Sequence, residues 1–191
     1  IDPVVRAGIA HLWFVTIHPF EDGNGRIARA IADMALVHAD GTADRFYSLS
    51  TQIASERKDY YSQLEKQQRD VPKITGWLEW FLSCLGSAIE NADQALSNVM
   101  FKARLWEGVN RNPVNDRQRL IINRMLADDF IGHMNTSKYA KMTKCSKDTA
   151  LRDIQLLKTR SILIQNPGGG RSTSYRLPSG EEIEQIVNNG K

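Results

Sequence analysis

His18-Pro19-Phe20-Glu21-Asp22-Gly23-Asn24-Gly25-Arg26-Ile27-Ala28-Arg29 gathers a base, two carboxylates, two glycines and two guanidinium groups into twelve consecutive residues. Upstream, Val5, Ile9, Leu12 and Trp13 recur at three- and four-residue spacing, which predicts a helix over residues 4–17. Pro19 ends it, because the residue before a proline avoids helical backbone angles. Downstream, Ile27, Ile31, Met34 and Leu36 predict a second helix from about Gly25 to Ala39, with Asp40-Gly41 as its stop. The quoted stretch is therefore a tight loop running into a helix N-terminus. Successive backbone N–H groups at such a turn, with the positive end of the helix dipole, form an anion site. Gly23 and Gly25 carry no Cβ, so phosphate oxygens can come close. Arg26 and Arg29, three residues apart, lie near one face of the first turn and can grip phosphate bidentately. Asp22 beside that anion site suits Mg²⁺, which takes a few carboxylates and completes its shell with substrate phosphates. Histidine exchanges a proton near neutral pH, so His18 is the candidate general base. This set suits phosphoryl or nucleotidyl transfer, where positioning and charge neutralisation carry most of the catalysis.

Taken singly, each element is common. A Gly-x-Gly is a weak phosphate signal, and Asp-Gly-Asn-Gly alone is an ordinary turn that lacks the later ligands of a calcium loop. Their combination in fixed order carries the reading. His-Pro-Phe-x-Asp-Gly-Asn-Gly-Arg-x-x-Arg resembles the motif of the Fic family, and every fixed position of that motif is matched. The resemblance extends to about residue 98, through the Tyr60-Tyr61-x-x-Leu64 and Trp77-x-x-x-Phe81-Leu82 segments. It implies transfer of AMP from ATP, with Mg²⁺, to a Tyr, Ser or Thr hydroxyl of a target protein, releasing pyrophosphate. By the same resemblance His18 takes the hydroxyl proton, Phe20 is a core anchor for the loop, and Asp22 binds Mg²⁺. Gly23, Asn24 and Gly25 cradle phosphates, Arg26 grips the β- and γ-phosphates, and Arg29 supports the terminal phosphate. Tyr60 and Tyr61 match an aromatic pair that lines the nucleoside pocket. Similar proteins place several helices and a β-hairpin flap before the motif, and many carry an inhibitory Ser/Thr-x-x-x-Glu-Gly/Asn helix. Only 17 residues precede His18 here, and neither Glu90-Asn91 nor Glu107-Gly108 has the required Ser or Thr.

The 191-residue chain is 41% hydrophobic and 25% charged, an ordinary globular composition with room for a medium domain and a small one. No apolar run reaches the roughly 18 residues of a membrane span. The longest, Ile9 to Phe14 and Ile31 to Val37, are interrupted by His11 and Asp33. With no visible signal peptide, the expectation is a cytoplasmic protein without a membrane partner, Cys84 and Cys145 being reduced thiols. No Cys/His cluster has zinc-ligand spacing. The first residue, Ile1, suggests a fragment or a processed product.

Further along, residues 50–68 predict an amphipathic helix capped by Ser50, with Ile53, Tyr60, Tyr61 and Leu64 as its larger apolar residues. Pro72 breaks it. Residues 74–98 predict a largely buried helix, and Arg104 to Val109 either extend it or form a short helix of their own. Asn110-Arg111-Asn112-Pro113 is the linker candidate, giving domains 1–110 and 116–191 around a linker at 111–115.

The +3 net charge is unevenly spread. Residues 1–112 hold 12 Lys and Arg against 14 Asp and Glu, whereas residues 113–191 hold 13 against 8. Helices over 116–130, 136–143 and 147–159, strands at Ile162–Ile164 and Ser174–Leu177 around a Gly168-Gly169-Gly170 tip, and a terminal helix over 181–188 have the order of a winged helix-turn-helix. Such modules follow the catalytic domain in many Fic proteins. Ile121, Ile122, Leu126, Tyr139, Ala140, Ala150, Ile154 and Leu157 are its core candidates. Lys147, Thr149 and Arg152, with Arg171 at the wing tip, are then free to face a DNA groove. The expected fold is mainly α: a Fic-type helical bundle, N-terminally truncated, plus a small winged-helix (α+β) domain. The expected partners are a hydroxyl-bearing target protein, DNA, and a second copy of the chain. The alternative reading is a DNA-binding regulator whose Fic part is inactive or senses nucleotide.

Overall fold

Asp2 starts the first helix. Its carboxylate accepts hydrogen bonds from the Val4 and Val5 amides at 2.8 and 3.2 Å, and Pro3 follows, giving helix α1 (Pro3–Ile17). The structure is a computed structural model that describes residues 1–42, 45–69, 73–111, 113–170 and 173–188. Helix α1 packs chiefly on α2 (Asn24–Asp40), which Gly41 ends in a left-handed conformation at φ 67°.

The buried faces of these two helices differ from the predicted ones. Helix α1 buries Ala7, Gly8, His11, Leu12 and Val15, and α2 buries Asn24, Ala28, Ala32 and Leu36. Trp13 and Met34, expected as packing residues, are 47% and 73% exposed. Small residues at the contact let the helices approach closely, and the large ones are left at the margins.

The helix expected over 50–68 is two, α3 (Leu49–Ser55) and α4 (Arg57–Arg69), interrupted at Glu56. Its cap is Ser48, whose hydroxyl oxygen accepts from the Thr51 amide at 3.1 Å. Ser50 instead donates to Asp33 Oδ2 at 3.4 Å. Pro72 lies outside the described residues. Helix α5 (Thr75–Arg111) is continuous through the 104–109 segment. Its Trp77, Phe81, Cys84 and Leu85 join Leu49, Ile53, Tyr60 and Leu64 over α1 and α2. Leu82 and Ile89 face outward, so within residues 74–98, expected to be largely buried, one face alone is buried, by Trp77, Phe81, Cys84, Leu85 and Ala88. Gly8 permits the closest approach: a Cβ there would lie 2.9 Å from the Phe81 ring. The Trp77 indole N–H donates to the Gly8 carbonyl at 2.8 Å.

The chain divides into two units, Ile1–Leu96 and Ser97–Lys191. The division falls before the 111–115 linker expected from the sequence, because Leu105 and Val109 of α5 are buried in the second core. Asn112 itself lies outside the described residues. In the second unit, Asn115 and Gln118 form a reciprocal capping box on α6 (Asp116–Met125). This helix stops short of the expected residue 130: a turn follows in which the Phe130 amide donates to the Ala127 carbonyl at 3.0 Å. Helices α7 (Thr136–Thr143) and α8 (Lys147–Thr159) come next. Strand β1 (Ile164–Gln165) pairs antiparallel with β2 (Tyr175–Arg176), placing Ile164 opposite Arg176 and Gln165 opposite Tyr175. Ile162 and Leu163, expected in the strand, are instead buried in the core before it. Tyr175 also bridges Met134, and α9 (Gly180–Asn188) follows.

Tyr139, Ile121, Ile122, Ala150, Ile154 and Leu157 form the centre of the second core, as their spacing predicted, while Leu126 packs only partly against it. One carboxylate organises the polar side of this core. Asp153, 6% exposed, accepts from Asn115 Nδ2 at 3.0 Å, Arg117 Nε at 2.8 Å and Tyr139 Oη at 3.1 Å. No helix among the described residues is long and apolar enough to cross a membrane. Both cysteines are free, and burial pushes the Cys84 thiol up to about 12.

Candidate active site

The loop between α1 and α2 is built from two backbone decisions. His18 leaves α1 in the left-handed region, at φ 51° and ψ 56°, while its amide still donates to the Phe14 carbonyl at 3.1 Å. Pro19 follows, without an N–H and unable to continue the helix. Gly23 then takes φ 85°, a conformation that glycine adopts without strain, and launches α2. Between them Asn24 holds the loop closed. Its side-chain oxygen accepts from the Phe20 amide at 3.1 Å and its Nδ2 donates to the Phe20 carbonyl at 2.5 Å. The Phe20 ring, expected as a core anchor, is 51% exposed, 6.3 Å from the Phe14 ring. The anchor is the buried Asn24 amide acting on the Phe20 backbone.

No side chain caps α2; the Arg26 and Ile27 amides donate to the Gly23 carbonyl, both at 3.0 Å, and the Asn24 and Gly25 amides are left for an anion. Gly25 is open space: a Cβ there would meet no atom within 4 Å. The Asp22 carboxylate accepts from the Gly23 amide at 2.6 Å and pairs with Arg26 Nη2 at 3.1 Å. Both side chains of that pair are largely exposed, so it holds weakly and yields readily to a phosphate or a metal ion. Arg29 Nε donates to the Gly25 carbonyl at 3.2 Å, which aims the guanidinium along the same turn.

These residues share one cavity of about 310 Å³. It is lined by His18, Glu21, Asp22, Gly23, Asn24, Gly25, Arg26 and Arg29 on the loop side, and by Tyr60, Tyr61 and Leu64 of α4, with Val15 of α1. Every residue that the sequence suggested for base, metal or nucleotide contact is among them. One face is anionic-ligand chemistry, with two cations and free N–H groups, and the other is aromatic. Among the described residues no cluster of three or more His, Cys, Asp or Glu side chains forms a self-sufficient metal centre. Asp22 fits a Mg²⁺ ion only as one ligand beside substrate phosphates and water.

His11 was missed as part of this region. Its position four residues from Ala7 and from Val15, on the buried face of α1, is the signal that places it inside. It is fully buried and shares a 3.0 Å hydrogen bond between its Nε2 and the Tyr60 hydroxyl. Burial, and secondly the nearby Arg29 guanidinium, lower its pKa from 6.5 to about 4. Burial likewise raises the Tyr60 hydroxyl to about 12. Between pH 6.5 and 4 the unfolded chain binds the His11 proton and the folded chain does not, so stability falls as pH drops. The loss expected between pH 7 and pH 5 is about 2 kcal/mol. Urea titrations at the two pH values measure it, and a His11→Phe variant should lack this component.

On the second unit, Lys147 and Arg152 are exposed on α8. Thr149 is engaged in the helix cap, its amide donating to Ser146 Oγ at 3.1 Å. Arg171 lies outside the described residues.

The sequence profile of the Fic/DOC family matches residues 1–36. Two curated relatives align over 39 residues: protein adenylyltransferase fic-1 of Caenorhabditis elegans at 49% identity and its namesake of Caenorhabditis briggsae at 46%. The alignment covers 20% of this chain and 8% of each relative, so the chain spans a small part of their length. The matched segment is the one that builds the loop, the uncapped helix and the cavity's polar wall, and it is in this segment that the chain is similar to the Fic/DOC family.

Proposed function

We propose that the chain carries the catalytic centre of a protein adenylyltransferase that uses ATP and Mg²⁺. The observation that carries this reading is the shared cavity, in which His18, Asp22, the open α2 N-terminus and both arginines face an aromatic wall. A ring nitrogen of His18 takes the proton from a Tyr, Ser or Thr hydroxyl of a target protein. The hydroxyl oxygen forms a bond to the α-phosphorus of ATP, and the bond from that phosphorus to the bridging oxygen of pyrophosphate breaks. Arg26, Arg29 and the N–H groups of α2 hold the β- and γ-phosphates and stabilise charge on the departing pyrophosphate. Mg²⁺, held through Asp22, supplies further charge neutralisation when bound. Tyr60 and Tyr61 form the nucleoside side.

The test is incubation of the protein with Mg²⁺, a cell lysate and ATP labelled at the α-phosphate. Label should appear on protein and fall about 10²- to 10⁴-fold in His18→Ala, the range for removal of a general base. Equal labelling by His18→Ala, or label from the γ-phosphate alone, would sink the assignment.

We further propose that the second unit is a winged helix that meets DNA. This reading is supported by the exposed Lys141, Lys144, Lys147 and Arg152 along α7, its following turn and α8, none with a side-chain hydrogen bond or ion pair among the described residues. By contrast Arg117, Arg124 and Arg176 are paired with Asp153, Asp129 and Glu182. Duplex binding should weaken with salt, and Lys147→Ala should reduce the slope of log K against log salt by about 1. An unchanged slope removes α8 from the interface.

A further inference from the structure

We infer that His11 is a positioning residue for the aromatic wall of the cavity, acting through Tyr60; the inference rests on the nucleotide-binding reading of that cavity. Tyr60 is the joint between two environments. Its ring lines the cavity, yet the residue is only 6% exposed and its hydroxyl reaches inward to His11. That hydrogen bond links residues 49 apart in sequence, so no local preference of α4 sets the tyrosine rotamer. On the cavity side the Tyr60 ring meets Tyr61 edge-on at 5.2 Å, so fixing the first ring fixes the surface against which the second can rest.

His11 suits this role better than an apolar residue of the same shape. Its imidazole lies against Trp77, with ring centroids 5.4 Å apart, and against Phe81 at 6.4 Å, so it is itself immobilised. A tyrosine hydroxyl both donates and accepts, so either neutral tautomer of His11 keeps the bond. The neutral form is also the one compatible with Arg29, whose positive charge bears on both His11 and Tyr60. A cationic His11 would oppose the guanidinium proposed to hold phosphate. The pair therefore ties the aromatic wall to the cationic wall.

The experiment labels tyrosine with fluorine and follows the Tyr60 resonance, assigned with Tyr60→Phe, alongside ATP–Mg²⁺ binding by calorimetry. In His11→Phe the Tyr60 resonance should shift or broaden and ATP should bind about five- to tenfold more weakly, the scale of one buried hydrogen bond. His11→Gln, whose amide reaches the position of Nε2, should restore both readouts. Tyr60→Phe breaks the same bond from the other side, so the double variant should bind ATP no more weakly than the worse single one. A Tyr60 resonance indifferent to His11→Phe overturns the inference, as does a moved resonance with unchanged ATP affinity. Additive losses in the double variant overturn it too, and by a measurement that does not need His11→Phe alone to be informative. Absence of ATP binding by the wild-type chain, with the Tyr60 resonance still responding to His11, would instead overturn the nucleotide reading and leave His11 as the residue that orients this wall.

Discussion

Trp77→Ala is expected to destabilise the first unit by about 3–5 kcal/mol, the range for removing a large buried aromatic side chain. Trp77 is fully buried, and its ring packs on His11, Trp80, Phe81 and Tyr60 at centroid distances between 5.1 and 6.2 Å. Its N–H is also spent on the carbonyl of Gly8, the residue that gives the Phe81 ring of α5 room against α1. Truncation therefore removes apolar contact, leaves a cavity and loosens the support beneath His11 and Tyr60. Trp13→Ala is the control, because Trp13 is 47% exposed and should cost about 1 kcal/mol or less. Urea titration of both variants decides the matter. Equal losses would mean that the core around His11 and Tyr60 does not depend on this side chain.

Asp153→Ala should cost the second unit about 3–5 kcal/mol, because it strips a common partner from groups held at the core margin. Tyr139, fully buried, loses the acceptor for its hydroxyl, and Asn115 loses the bond that ties its cap to α8. Leaving a buried donor unmade is the expensive part of such a change. Asp153→Asn keeps an acceptor in place and should recover a good part of the loss. The carboxylate also imposes a pH dependence. Burial works to raise its pKa, but the hydrogen bonds from Arg117, Asn115 and Tyr139 outweigh this and hold it below the ordinary carboxylate value. Its contribution is complete above the unfolded value of about 4 and is lost as pH falls through the lower folded value. Wild type should thus lose stability in acid more steeply than Asp153→Ala, and parallel acid titrations would exclude this role.

The two units were legible to different degrees. The lining of the candidate cavity was readable because most of it is polar residues in fixed order, and Tyr60 and Tyr61 of α4 line the same cavity. The packing of α1 on α2 was not readable from apolar spacing. Its contact is made by Ala7, Gly8, Ala28 and Ala32, residues that carry little hydrophobic signal, while Trp13 and Met34 carry much and pack little. Phe20 differs as well: the resemblance implied that its ring anchors the loop, but the loop is held by an amide side chain on main-chain atoms. Ser48 displaced Ser50 as a cap because Ser50 is within reach of Asp33, a contact between residues 17 apart that no local rule contains. In the second unit, Ile121, Ile122, Ala150, Ile154 and Leu157 are large or regularly spaced enough to expose their helix faces directly. What the spacing could not show is that Asp153, one position from Ile154, turns inward as well.

The 69-residue interval between Gly8 and the indole of Trp77 also sets an order of events in synthesis. The loop emerges from the ribosome well before α4 and α5, yet the aromatic wall of its cavity, Tyr60 and Tyr61, and the Trp77 ring that packs on Tyr60 are translated later. Contacts of such separation close slowly and only after the chain between them is available. A nascent chain stalled after α2 would display the whole His18–Arg29 stretch without that wall. The arrival of α4 completes the lining of the cavity, and the arrival of Trp77 gives the Tyr60 ring the surface it packs on.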